Sequence, residues 1–445
     1  MQTLSMFNNP WEDVMTQTAI QLDTPLSLPC GETLPNRLGK SAMTEGCADA
    51  LGRATEYHER VYRLWGESGT GLLLTGNIQV DRRSLERPGN IRIEGEQDAE
   101  QMKRLTAMAD AGQAHGAHMW AQIGHAGRQA PAGACPEPVA PSSVPLTMLR
   151  WQQQAPRALE EDEIEDIIWR FGNAALVCKL AGFKGVQVHG AHGYLISEFL
   201  SPRVNLRTDK WGGDLKSRAR FLFEVLRTIR KSVGPDFPVG LKLNSADFQK
   251  GGFSHDDSMQ VVEWLNDEGL DLLELTGGTY EHLSLLGVNN DNQFEREPPR
   301  ASTAAREAYF AVYAAEARAV AKMPVMSTGG FRSRESMIGA LNDGTCDLVG
   351  LARPLCTDPF ISAKLIKGEV AQTDLYEHRT ALSDAEKNGL DASEIQTATV
   401  LGQQAFYFMT IYDMAEGRDP HLNRTLLGAQ SELVAREDTI ARNLV

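Results

Sequence analysis

No stretch of this chain reaches the roughly 18 consecutive apolar residues that a membrane span requires. Residues 1–24 hold no basic start followed by an apolar run, so no secretory leader is expected. Cysteine is scarce as well. Cys30, Cys47, Cys135, Cys178, Cys346 and Cys356 are scattered without a Cys-x-x-Cys pair, which argues against a metal cluster and suggests no disulfide framework. Positive charge is in deficit: 44 Lys and Arg stand against 59 Asp and Glu, a net −15, so neither nucleic acid nor an anionic membrane is an expected partner. No repeat of solenoid period and no low-complexity segment is present. These absences leave a reduced, cytoplasmic, globular protein of enzyme size, with a small molecule as its partner. They do not decide between a monomer and a homo-oligomer.

What is present is an alternation of short apolar runs and amphipathic stretches. Strands are expected over residues 34–44, 71–77, 118–123, 186–189, 237–243, 272–276, 325–328 and 347–351. Between them the spacing predicts helices over 56–65, 99–115, 164–178, 214–232, 255–268, 304–321 and 333–342. Eight buried strands separated by helices are the pattern of a (β/α)8 barrel, and 445 residues with 42% hydrophobic side chains suffice for one with insertions. A doubly wound sheet is the runner-up, disfavoured because no Gly-x-Gly-x-x-Gly follows a strand and opens a helix. The expected organisation is an arm over 1–30, the barrel over 31–365 and a helical extension over 366–445 packed outside it, most clearly helical at 393–416. Loops 124–156 and 277–302 are long enough to read as lids or binding loops.

In such a barrel the chemistry sits where strands end. Those ends hold Ser41 to Thr44, Asn77, Gln122, His189, His192, Tyr194, Lys242, Gly329-Gly330 and Ala352-Arg353. Gly329-Gly330 is expected to open a helix whose N–H groups favour an anion, with the Arg353 guanidinium beside it. Gln122 can both donate and accept, and so suits a pyrimidine edge. Lys242 offers a cation, and Thr44 a hydroxyl donor. His189 and His192, three residues apart, also fit a metal site with Glu198 as third ligand, or histidines satisfied by backbone. Tyr194 suits proton donation better than metal binding.

The run His189-x-x-His192-x-Tyr194, followed by Ser201-Pro202-x-x-Asn205-x-Arg207-x-Asp209-x-Trp211-Gly212-Gly213, resembles the old yellow enzyme family of flavin-dependent ene-reductases. The matching strand ends extend the resemblance over most of the barrel. It implies FMN, held tightly but without a covalent bond by Ser41, Ala42, Met43, Thr44, Asn77, Gln122, Lys242, Gly329, Gly330, Ala352 and Arg353. It implies NAD(P)H as a transient reductant using the same pocket, and ping-pong reduction of activated C=C bonds in α,β-unsaturated carbonyl or nitro compounds. His189 and His192 would then bind and polarise the substrate oxygen, and Tyr194 would protonate the α-carbon. Alternatives on the same scaffold are oxidative demethylation or dehydrogenation, isomerisation, or flavin binding without turnover; the intact Tyr194 favours reduction.

The chain departs from the commoner pattern of that family at several points. Ala42 replaces a usual Pro and Lys242 a more frequent Arg. Gly124 stands where some members carry a bulky aromatic, which predicts a roomier pocket. Thr357 stands where one subclass has an Arg that reaches into its neighbour's site, so completion of the site by a partner is not expected. No cysteine follows Cys356, so no appended iron–sulfur cluster is expected and electrons would come from a diffusible donor.

Overall fold

The computed structural model describes residues 19–146, 155–279, 308 and 310–444. Eight parallel strands close a ring: β1 (Leu38–Lys40), β2 (Leu72–Leu74), β3 (His118–Gly124), β4 (Gly185–Gly190), β5 (Val239–Asn244), β6 (Leu272–Thr276), β7 (Val325–Thr328) and β8 (Leu348–Leu351). β8 pairs with β1, β1 with β2 and β2 with β3, so the ring leaves no sheet edge. It is a (β/α)8 barrel.

Both faces of each strand are buried, which is why the sequence shows near-continuous apolar runs. The two faces have different partners. Val186, Val188, Leu241, Leu243, Leu273 and Leu275 point outward into the layer shared with the helices, while Leu72, Leu74, Trp120, Leu272, Met326 and Leu348 fill the interior. Trp120 needs room there, and Gly185 supplies it: a Cβ at that position would come within 2.7 Å of the indole. Leu26–Ser27 and Thr33–Leu34 form an antiparallel hairpin whose Leu26, Leu28 and Leu34 join the interior cluster and close the barrel floor.

The division placed at residue 30 therefore falls inside the floor hairpin. The strand expected over 34–44 shortens to Leu38–Lys40, because Leu34 belongs to the floor and Ser41 to Thr44 leave the sheet at the mouth. Helices follow at Glu56–Glu67, Ala99–Gln113, Glu161–Leu180, Leu215–Val233, His255–Leu265, Ala311–Val320 and Arg334–Asn342. Asp98, Asp214, Ser254 and Ser333 cap four of them through side-chain oxygens that accept backbone N–H groups. The 124–156 stretch begins inside β3, makes a turn at Gly127–Gln129 and pairs Val139–Ala140 with Arg157–Ala158; its residues 147–154 lie outside the described residues. Of the 277–302 loop, only residues 277–279 are described.

The tail forms helices Ala392–Ala415 and Leu426–Ala441, which meet at Gly402, where a Cβ would lie 2.6 Å from Leu426 Cβ. The first of them also packs on Glu56–Glu67, and Tyr412 donates its hydroxyl to Gly46 O at 2.8 Å. Among the described residues no helix is long and apolar enough to cross a membrane.

The floor should be part of the cooperative unit. Leu34 is fully buried, so Leu34→Ala is expected to cost about 2–5 kcal/mol in denaturant unfolding. An unchanged midpoint would show that the hairpin opens independently of the barrel.

Candidate active site at the barrel mouth

Strand register assembles a polar layer just beneath the mouth. Gln122 of β3 lies beside Gln187 of β4, and Lys242 of β5 beside Glu274 of β6. Lys242 Nζ donates to Glu274 Oε1 at 3.0 Å, Thr328 Oγ1 donates to the same oxygen at 2.7 Å, and Gln187 Nε2 donates to Oε2 at 2.8 Å. Gln187 Oε1 then accepts from Gln122 Nε2 at 2.7 Å, and Ser41 Oγ pairs with Thr328 Oγ1 at 2.8 Å. Because the carboxylate only accepts, it fixes the direction of every amide in the chain. Gln122 is left with its carbonyl oxygen and one N–H for a ligand.

β4 carries the histidines. His189, one residue before the strand's end, points inward, and its Nδ1 accepts the Ala191 N–H at 3.2 Å. Burial, then the Lys242 charge, holds its pKa well below 6.5, so the ring is neutral and its proton sits on Nε2, a donor. His192 adopts φ 62°, a left-handed conformation that β-carbon residues avoid. Its neighbours brace it: His192 N donates to Asn244 Oδ1 at 3.2 Å, and its carbonyl accepts from Gln129 Nε2 at 2.9 Å. Its Nε2 lies 2.9 Å from Thr276 Oγ1. Its pKa is also lowered well below 6.5, by burial first and then by Lys242 and His189. The Tyr194 ring stands edge-on to His189 with centroids 4.8 Å apart, and the two imidazoles are 5.2 Å apart.

A cavity of about 250 Å³ opens on these side chains. Ala42, Met43, Thr44, Asn77, Gln122 and Lys242 line it together with His189, His192, Tyr194, Ala352 and Arg353. Ser41, Gly329 and Gly330 are not among its lining residues. Three local expectations change. Ser333, not the glycine pair, caps the helix that follows β7, which starts at Arg334 and so is separated from Gly330 by Phe331 to Ser333. The Thr44 hydroxyl donates to Glu86 Oε2 at 3.1 Å instead of being left for a ring oxygen. Gly124 leaves no spare room, since a Cβ there would come within 2.8 Å of Asn77 Oδ1 and 3.4 Å of His189 Cβ. Glu198, the third residue of the metal alternative, accepts the Arg128 N–H at 2.9 Å.

Other contributors escaped the sequence reading. Gln187 and Glu274 are polar residues inside otherwise apolar strands, and that was a usable signal, because such groups need buried partners. Glu86 sits in an irregular charged loop that gave none. The tail helix Ala392–Ala415, expected outside the barrel, lends Gln403, Gln404, Tyr407 and Phe408 to the cavity wall. At the β7–β8 side, Arg332 joins Arg353: it pairs with Glu377, which also accepts from Tyr407 Oη at 3.0 Å.

Lys40 is the other hidden group. It points outward from β1, wholly buried, donating to Leu74 O at 2.7 Å and Ser41 O at 3.3 Å under the Trp65 ring. Desolvation lowers its pKa to about 8, while the Glu45 charge pushes the other way. Glu45 is itself held by Tyr62 Oη and by Gly76 N. The pair thus ties the ends of β1 and β2, from which Ala42 to Thr44 and Asn77 reach the cavity.

A barrel with this mouth is built for a planar cofactor with an anionic tail. Asn77 Oδ1 is buried in the cavity wall, and Arg332 Nε beside the β7–β8 end; neither has a hydrogen-bond partner, so a ligand offering an N–H donor and an anionic group fits the residues present. Residues 21–372 match the family model described as the NADH:flavin oxidoreductase / NADH oxidase family. The chain is 36% identical over 348 residues to the NADH-dependent flavin oxidoreductase nadA of Aspergillus parasiticus, covering 76% of each chain. It is 35% identical over 382 residues to the NADH-dependent flavin oxidoreductase iliE of Hypocrea jecorina, covering 81% of this chain and 90% of that one. The old yellow enzyme homologue from Zymomonas mobilis shares the fold, with a TM-score of 0.65 at 22% identity over 82% of this chain and 98% of that one. The protein belongs to the NADH:flavin oxidoreductase / NADH oxidase family, whose cofactors are FMN and NAD(P)H.

Two measurements test this account of the site. Lys40→Met strips a donor from Leu74 O and leaves Glu45 without its counter-charge, so a loss of about 2 kcal/mol or more is expected. Lys40→Met/Glu45→Gln should cost less than the sum of the single changes; simple additivity would show the two are uncoupled. The second is a pH dependence. Burial lowers the pKa of His58, His125, His189 and His192 from 6.5, that of His125 to about 4. The unfolded chain therefore binds more protons below 6.5, and the stability these residues carry is complete above that pH and lost as pH falls. Denaturant midpoints should drop between about pH 7.5 and 5, and equal midpoints would contradict the neutral assignment.

Proposed function

We propose that this flavin oxidoreductase reduces activated C=C bonds of α,β-unsaturated carbonyl or nitro compounds, with NADH and the unsaturated substrate using the cavity in turn. The observation that carries the reading is His189, whose Nδ1 accepts the Ala191 N–H and so leaves Nε2–H as a donor, edge-on to the Tyr194 ring. The chemistry that a bound FMN would supply is hydride transfer, drawn from NADH and serving the substrate β-carbon. The chain's own side chains do the rest. His189, with His192, binds the substrate oxygen and stabilises the enolate charge that grows on it, as preorganised donors in a site shielded from water do. Neutral rings suit that task because they stabilise by N–H donation and release no proton. Tyr194 protonates the α-carbon, since a phenol keeps its proton at neutral pH. Lys242 and Gln122, fixed through Glu274, would hold the ring of the cofactor. Arg353 and Arg332 would hold its phosphate.

Anaerobic turnover tests these roles. Tyr194→Phe should leave flavin reduction by NADH intact and slow reoxidation by a cyclic enone by about 100-fold or more; unchanged reoxidation removes Tyr194 from proton donation. His189→Ala/His192→Ala should abolish the shift that phenols cause in the flavin spectrum. If phenols still shift it, the oxygen is held elsewhere.

A further inference from the structure

Charge is unevenly distributed around the cavity. On the β7–β8 side, Arg332 and Arg353 share one carboxylate, since Glu377 pairs with Arg332 and lies 3.9 Å from Arg353. That cluster holds one positive charge in excess, which suits the cofactor's phosphate. In the centre Lys242 is balanced by Glu274, and the two histidines are neutral. On the β2 side the sign reverses. Glu86 is the one acid among the described lining residues, and the guanidinium beside it serves two carboxylates. Arg87 Nη1 lies 2.7 Å from Glu437, whereas its Nε approaches Glu86 only to 3.4 Å. Glu86's other donors, the Thr44 hydroxyl and the Asn90 amide at 3.3 Å, are neutral. Two carboxylates against one guanidinium leave one negative charge, and Glu86 is only 13% exposed, so water screens it poorly.

This surplus lies on the substrate's side. Glu86 lines the same cavity as His189, His192 and Tyr194. Phe408, from the tail helix, lines the same wall and already carries the Arg87 guanidinium 3.9 Å from its ring centre, so the wall tolerates a cation against an aromatic face.

We propose that Glu86 selects substrates that carry a protonated amine: unsaturated carbonyl compounds whose oxygen binds at His189 and His192 and whose ammonium group lies against Glu86. The proposal rests on the ene-reduction reading for its reacting end and on the charge count for its selectivity.

The test compares two enones of matched size, one ending in a dimethylammonium group and one in an isopropyl group, as oxidants of the NADH-reduced holoenzyme. The native enzyme should show a kcat/KM about tenfold higher for the cation. Glu86→Gln should bring the ratio near one, and Glu86→Asp should retain the preference. A ratio near one in the native enzyme, or a preference that survives Glu86→Gln, overturns the proposal. Binding separates this from the reaction itself: tyramine and 4-ethylphenol are titrated into the oxidised holoenzyme and followed by the flavin spectrum. Preference for tyramine that Glu86→Gln abolishes upholds charge selection even if neither enone reoxidises the flavin, an outcome that overturns ene-reduction alone. No preference for tyramine overturns the role of Glu86.

Discussion

The Glu274 carboxylate, enclosed inside a protein barrel, sets the conditions for the rest of the mouth. A buried carboxylate is costly unless donors surround it. Here Lys242, Thr328 and Gln187 supply them, from β5, β7 and β4. That arrangement also settles two other problems. Lys242 can stay buried at the strand end because its counter-charge is beside it, and Gln122 acquires one orientation because the amide relay starts from a group that cannot donate. Through Ser41 and Thr328 the same network reaches β1. Gly350 permits it, since a Cβ there would run into Thr328 Oγ1 and Ser41 Oγ.

Rigidity of this layer is what gives the β4 end its chemistry. His192 is held in a backbone conformation that costs about 1–2 kcal/mol, and groups from β5, β6 and the loop after β3 maintain it. A site prepared in this way spends no reorganisation when charge appears on a bound oxygen. The cavity's upper wall comes from a different source. Tyr407 and Phe408 arrive from the tail, whose helices are anchored by Tyr412 on Gly46 and by Arg87 on Glu437. Pocket chemistry is therefore set by the barrel, and pocket shape in part by the chain's last helices.

Much of the barrel was legible because its strands are short, wholly buried and bounded by turns, and because helix caps such as Asp98 and Asp214 are local signals. Boundaries failed where a tertiary partner decided them. Leu34 reads as strand entry but pairs back to Leu26 beneath the barrel, and Gly329-Gly330 reads as a helix start although Ser333 makes the cap. The histidines and Tyr194 stood out because a strand ending in three polar rings is uncommon. Glu86 could not stand out, since nothing within the charged run Asp81 to Arg87 separates a cavity residue from a solvated one. Gly124 misled for a related reason: the hydrogen in place of a side chain is filled by Asn77, a neighbour distant in sequence.

By itself the sequence determined the alternation of elements, the barrel they must form, and the polar residues that stand at the strand ends, because period and capping act over a few residues. The tertiary structure alone decided which of those residues face the cavity, how Glu274 orients its partners, which proton His189 keeps, and what the tail helix covers. Those depend on register, burial and charge balance between segments from about thirty to several hundred residues apart, and no local pattern encodes them.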